Sequence, residues 1–204
     1  MPETIHLYRL LVDHIGVRML DEDLTAKARI RNAALELYSR HGAEGVSLRA
    51  VAATAGVTLG LVQHHFKTKA GLGEAVDRLV AERFASTLAQ VPPDASTAER
   101  DEAVREMLRN NPPVVNYVRR ALLDPAADRL HLLDVLVELT QREVNALRHA
   151  GRASTKRRES TQIVAVLVRQ MGELLLQPMV DAIWDRVATP ADEGKPRLRV
   201  DVDD

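Results

Sequence analysis

The residues best suited to chemistry lie together between Ser47 and Lys69, in the stretch SLRAVAATAGVTLGLVQHHFKTK. It offers the cations Arg49, Lys67 and Lys69, the imidazoles of His64 and His65, the hydroxyls of Ser47 and Thr58 and the amide of Gln63, with no carboxylate among them. Cations and donors without a competing acid suit a polyanion better than they suit acid–base catalysis. A metal pair at His64–His65 is disfavoured, because adjacent helical residues point about 100° apart. The chain has no Cys, which excludes disulfides, thiolate zinc sites and Cys nucleophiles. Residues 97–188 hold no G-x-S-x-G, Walker, dinucleotide or H-E-x-x-H pattern, so no enzyme activity, catalytic residue, metal or cofactor is expected.

Helical periodicity dominates the elements that must position this stretch. From Thr25 the apolar residues Ala28, Ile30, Ala33, Ala34, Leu37 and Tyr38 recur near the helical period, and His41–Gly42 supplies a stop. Ser47 is an N-cap for a short helix to Ala55, and Thr58 is an N-cap for a second, about two turns long, to Phe66. Gly56 between them can take the positive φ of a tight turn, the sequence form of a helix-turn-helix. Ala52, Val57, Val62 and Phe66 would form its small core. Leu59, Gly60, Leu61, Gln63 and His64 would face outward, with Gly60 allowing close approach to a major groove. Thr68 caps a longer helix to about Ala89, locally weakened by Gly71 and Gly73.

Charge follows the same division. The formal net charge is −1, yet residues 25–70 carry seven basic and two acidic side chains (Glu36, Glu44), against 21 basic and 27 acidic elsewhere. A basic head on an acidic body is one reading; a solvated positive face is the bland one.

The motif resembles the TetR/AcrR family of bacterial regulators, whose pattern is met by Ser47, Arg49, Val51, Ala52, Ala55, Gly56, Val57, Thr58, Gly60, Val62, His65, Phe66, Thr68, Lys69 and Leu72. The resemblance is specific over residues 25–75 and architectural beyond. It implies that Arg49 reaches a base edge, plausibly guanine, that Ser47, His65 and Lys69 hold phosphates, that Thr58 caps the recognition helix, and that Leu59, Leu61 and His64 line its base-facing side. Gln63 stands where the family usually has Tyr, and its amide could pair with adenine.

After the Pro92–Pro93 break, Ser96-x-x-Glu99 has the form of a capping box. Helices are expected at about 97–109, 112–123, 125–149 (starting at Asp124–Pro125) and 156–187, the last kinked or broken by Pro178. The expected fold is all-α, about nine helices: an N-terminal extension (1–24), a helix-turn-helix head (25–70), a connecting helix (71–90), an effector-binding and dimerisation domain (97–188) and a mobile tail (189–204). The stretch Ile5–Leu20 is either an added amphipathic helix or a disordered extension. With few aromatics, two Phe, one Trp and three Tyr, the core must be aliphatic; the resemblance implies that the last two long apolar helices form the interface of a homodimer that sets two heads on a pseudo-palindromic double-stranded operator, where a monomer core alone would leave part of their apolar faces exposed. Asn116, Tyr117, Arg120, Gln141, Asn145 and Gln170 are the candidate contacts for a small apolar or amphipathic effector.

No secretory signal is visible, because Arg9, Asp13 and Arg18 interrupt the N-terminal apolar stretch. The longest aliphatic run, Ile163–Val168, is far short of the ~20 residues that span a bilayer. A cytoplasmic protein with no membrane partner is expected. The function expected is a repressor released from its operator by a small molecule. The alternatives are the same fold without an effector, controlled by a partner or acting as an activator, and a helical enzyme or structural dimer.

Overall fold

The computed structural model describes residues 25–123 and 131–202, and among these eight helices and no strands are found. The extension 1–24 and the expected helix start at Asp124–Pro125 lie outside the described residues. The helices are α1 (residues 25–41), α2 (Leu48–Ala55), α3 (Leu59–Phe66), α4 (Lys69–Gln90), α5 (Thr97–Arg109), α6 (Pro112–Leu123), α7 (His131–His149) and α8 (Glu159–Val187). They divide into two compact units, the first ending at Val76 and the second starting at Asp77, so the division falls within α4.

In the first unit, Ile30, Ala34 and Tyr38 recur every four residues on α1 and are buried, as are Val51, Val62, Phe66, Leu72 and Val76. These side chains form one aliphatic core with two aromatic rings in it. Ser47 caps α2 by accepting from the Ala50 amide at 3.2 Å, and Thr58 caps α3 by accepting from Leu61 at 3.2 Å. Gly56 ends α2 at φ 66° and ψ 39°, a left-handed conformation that L side chains adopt at a cost.

The second unit packs α7 along α8, pairs α5 with α6, and sets α6 against both α7 and α8. Its core is again aliphatic: Val80, Val104, Val114, Val118, Leu132, Leu136, Leu167 and Leu174, with Phe84 and Tyr117. The capping box at Ser96 forms in full, the Ser96 amide donating to Glu99 at 2.7 Å, which holds the Glu99 carboxyl below the usual range.

Helix α8 runs unbroken through Pro178, and the break expected there is absent. Proline lacks the N–H that would bond the carbonyl four residues earlier, that of Leu174. The Nε of Arg119, on α6, donates to that carbonyl at 3.1 Å instead. A side chain from another helix thus replaces the missing backbone donor.

By length and composition alone α8 would also suffice to cross a membrane. Its buried row Leu167, Met171 and Leu174, and its ion pairs Arg169–Asp101 (3.1 Å) and Glu173–Arg105 (3.1 Å) to α5, integrate it into the second unit. Val164, Val168, Leu176, Met179, Ile183 and Val187 on the same helix are exposed.

The segment after Ala188 is not left loose. Lys195 pairs with Asp185 at 2.9 Å, the Leu198 amide donates to Gln177 Oε1 at 2.7 Å, the Gln177 amide donates to the Pro196 carbonyl at 3.2 Å, and Val200 packs over Gly172. Residues 195–202 therefore lie antiparallel along α8, held by side chains of α8 that a composition reading of a polar tail does not see.

Candidate nucleic-acid interface

The two short helices α2 and α3 owe their arrangement to their caps and to one buried row. The turn between them closes by Gly56 N–H to Ala53 O at 3.2 Å and Val57 N–H to Ala52 O at 3.0 Å. Val62 and Phe66 on α3 are buried, which fixes the rotation of α3 about its axis. Gly60, Gln63, His64 and Lys67 are exposed. The spacing of Gly60, Gln63 and His64 puts them on one helical face, so a small residue, an amide and an imidazole present one surface, and Lys67 stands at the C-cap beyond it.

Among the other expected contacts, Ser47, Arg49 and Thr58 are also exposed, while Leu59, Leu61, His65 and Lys69 are half-buried. The His65 ring lies tilted against Phe66, centroids 5.9 Å apart, and edge-on to His64 at 5.4 Å. Lys69 has an intramolecular role: its Nζ donates to the Glu44 carbonyl at 2.7 Å and stands 3.9 Å from the Glu44 carboxylate. Two of its three protons remain for a further acceptor. Glu36 pairs with Arg40. Each of the two acids of residues 25–70 thus stands beside a cation of the same unit, and Arg49 and Lys67 are exposed.

The junction from α3 to α4 carries two features that the sequence reading missed. Lys67 sits at φ 61° and ψ −57°, and the Thr68 amide donates to the Phe66 carbonyl at 2.6 Å across it. This is a γ-turn in its rare, strained form. Gly71, read from sequence only as a weak helix position, accommodates that turn: a Cβ there would lie 2.4 Å from the Phe66 carbonyl oxygen. Thr68 Oγ1 accepts from the Gly71 amide at 3.0 Å and completes the start of α4. Lys67 itself is a further exposed cation, at the C-cap of α3, and its place directly after the buried Phe66 that closes the helix is the signal that could have found it.

The second unit contains a cavity of about 570 Å³ with an apolar wall that includes Phe84, Leu136, Val144, Leu167 and Met171. Of the six candidate effector contacts only Gln170 lines it. Asn116, Arg120 and Gln141 are exposed, and Asn145 is half-exposed with its carbonyl 2.7 Å from His149 Nδ1. Tyr117 is buried, its hydroxyl donating to Asp77 Oδ1 at 2.6 Å. The charged side chains at the cavity are mostly cationic: Arg100, Arg152, Lys156, Arg157 and Arg169, against Asp101 and Glu143. The basic run around residues 148–158 is the sequence signal for three of them.

Comparison with known proteins bears on both units. Residues 30–76 match the family model of bacterial regulatory proteins, tetR family. Over 71 residues the chain is 55% identical to the HTH-type transcriptional regulatory protein RaaS of Mycobacterium tuberculosis, a match spanning 35% of this chain and 33% of that protein. The chain therefore matches about a third of the length of that curated relative. Its fold resembles a transcriptional regulator from Rhodococcus sp. Rha1, with a TM-score of 0.60 and 22% identity over 78% of this chain and 86% of that one. It also resembles the multidrug binding protein EbrR, solved in complex with imidazole, with a TM-score of 0.57 and 28% identity over 81% of this chain and 87% of that one.

Proposed function

The chain belongs, through residues 30–76, to the tetR family of bacterial regulatory proteins, and on that premise we propose that it is a DNA-binding transcriptional regulator: a cytoplasmic repressor that leaves its operator when a small molecule occupies the second unit. The observation that carries the DNA-binding half is the face of α3, where Gly60, Gln63 and His64 stand exposed together on a helix whose rotation is fixed by buried Val62 and Phe66, with exposed Lys67 at its C-cap. A helix presented in this way, with one small residue near its start, fits the major groove. Arg49 and Gln63 read base edges, Ser47, His65, Lys67 and Lys69 hold phosphates, and Leu59, Leu61 and His64 meet the remaining base surface. Thr58 fixes the start of the helix that carries them.

The regulator acts as a homodimer. The exposed aliphatic stripe of α8 is what a second copy would cover, and two-fold pairing places two readers on the two halves of a pseudo-palindromic site. Two weak half-site contacts then act as one tight one.

Control by an effector requires that it bind one arrangement of the protein better than another, after which effector and DNA affinities are reciprocally coupled. The 570 Å³ cavity lies in the range of small-molecule sites. Phe84, at its wall, belongs to α4, the same continuous helix that begins at Lys69 directly after α3. EbrR, named a multidrug binding protein, was solved with a small heterocycle bound, which supports a ligand-responsive second unit here.

The test is fluorescence anisotropy with duplex DNA flanking the chain's own gene. Binding should weaken steeply as salt rises. Arg49→Ala should cost about 1–3 kcal/mol and relax preference at one base position. Metabolite extract should release the DNA; a salt-independent signal, or DNA retained under every extract, contradicts the respective half of the proposal.

A further inference from the structure

The cavity of the second unit is unevenly charged. Five cationic side chains line it, Arg100, Arg152, Lys156, Arg157 and Arg169, against two carboxylates, Asp101 and Glu143. Asp101 is ion-paired with Arg169, whose Nη2 donates to Oδ1 at 3.2 Å and whose Nε stands 3.1 Å from Oδ2, and both side chains are less than one-fifth exposed. Glu143 approaches Arg100 Nη1 only to 3.9 Å, too far for a hydrogen bond. The Nε of Arg100 is enclosed and has no hydrogen-bond acceptor.

The rim cations are held in place. Arg148 Nη1 donates to the carbonyls of Ser154 at 3.0 Å and Arg157 at 3.1 Å and to Gln162 Oε1 at 2.7 Å, and the Gln162 amide donates back to the Ser154 carbonyl at 2.6 Å. The segment that carries Arg152 and Lys156 is thereby braced against the ends of α7 and α8.

We infer that this cavity takes an amphiphile with an anionic head group, its apolar part against Phe84, Leu136, Val144, Leu167 and Met171 and its head toward Arg152 and Lys156. The chemistry selects against the alternatives. A cationic ligand meets a net positive lining in which Asp101 is already paired. A neutral apolar ligand fills the wall and makes no use of the exposed rim cations Arg152 and Lys156, whereas an anionic head group accepts charge-assisted hydrogen bonds from them. A carboxylate and a phosphate monoester share the required chemistry.

The inference builds on the effector reading for its consequence but not for binding itself, and the experiment separates the two. Isothermal titration of the full chain, without DNA, uses four ten-carbon probes below their micelle concentrations: decanoate, decyl phosphate, decanol and decyltrimethylammonium. Decanoate or decyl phosphate should bind about tenfold more tightly than decanol, the scale of one charge-assisted hydrogen bond, and decyltrimethylammonium more weakly than decanol. The relative strength of the two anions identifies the head group. Arg152→Ala with Lys156→Ala, both exposed and outside the core, should erase most of that preference while leaving decanol affinity unchanged. Equal binding of anion and alcohol, tighter binding of the cation, or an unaltered preference in the double variant overturns the inference. Anion-selective binding that leaves DNA affinity unchanged supports the site and refutes its role as the effector switch.

Discussion

Gly71 and Gly73 stand two residues apart in the same helix, and the structure assigns their replacement by alanine opposite signs. Alanine is favoured over glycine in a helix by about 1 kcal/mol, so propensity alone makes both substitutions stabilising. At Gly73 an added Cβ meets nothing within 4 Å, and the propensity gain should appear nearly whole. At Gly71 it would lie 2.4 Å from the Phe66 carbonyl oxygen, more than 1 Å inside the roughly 3.5 Å at which non-bonded heavy atoms rest. That oxygen is backbone and accepts the Thr68 amide in the turn at Lys67, so it cannot swing aside as a side-chain tip would. Overpacking of this kind costs about 1–3 kcal/mol, which outweighs the propensity gain at most of its range. The two variants should therefore differ by about 1–3 kcal/mol, the overpacking cost itself, with the Gly73→Ala urea midpoint above wild type and the Gly71→Ala midpoint below it over most of that range. Because relief of the clash must move the end of α3, Gly71→Ala should also lose DNA affinity while Gly73→Ala retains it. A Gly71→Ala protein as stable as Gly73→Ala would refute the argument that the α3–α4 junction is sterically tuned.

Three further outcomes are expected. Arg119→Met should destabilise by about 1–3 kcal/mol by leaving the buried Leu174 carbonyl without a donor, whereas in a Pro178→Ala background the restored backbone N–H should cut that cost by at least about 1 kcal/mol; additivity within about 0.5 kcal/mol in urea melts would deny the exchange of donors. Tyr38 is 1% exposed, and burial, aided by the charge of Glu44, pushes its phenol up to about 12. The unfolded chain ionises near pH 10, so this contribution is intact below pH 10 and is lost as pH rises from 10 to 12; Tyr38→Phe should flatten the decline in urea midpoint over that window, and an unaltered decline would assign it elsewhere. Gln177→Ala removes both hydrogen bonds that clip Pro196 and Leu198 to α8 and should speed tryptic cleavage at Arg197 and Arg199, with equal rates indicating that the other contacts suffice.

These sites also show where sequence carried the reading and where it could not. Ser47, Gly56, Thr58 and the Ser96–Glu99 box act on backbone within a few residues of themselves, so their types and spacing were sufficient. The exposed face of α3 followed from Val62 and Phe66 for the same reason. Gly71 looked like an ordinary weak helix position because the turn at Lys67 that demands it depends on how closely two helices meet. Pro178 read as a break because its substitute donor, Arg119, lies on another helix. The effector candidates fared differently: Tyr117 turned inward to Asp77 and Asn116, Arg120 and Gln141 outward, while the cavity gathered cations from α5, α8 and the segment between α7 and α8. Polar residues interleaved on an amphipathic helix do not reveal which of its neighbours encloses a space.

The central claim is that a dimer presents two copies of α3 to one duplex. In vitro selection with the full chain from a random double-stranded pool tests it with no operator sequence assumed. The account predicts enrichment of a pseudo-palindrome whose half-sites lie about one helical turn, or a multiple of it, apart, with the Arg49→Ala protein losing preference at one position in each half. Recovery of unrelated sequences, or of a single half-site with no two-fold partner, would contradict it.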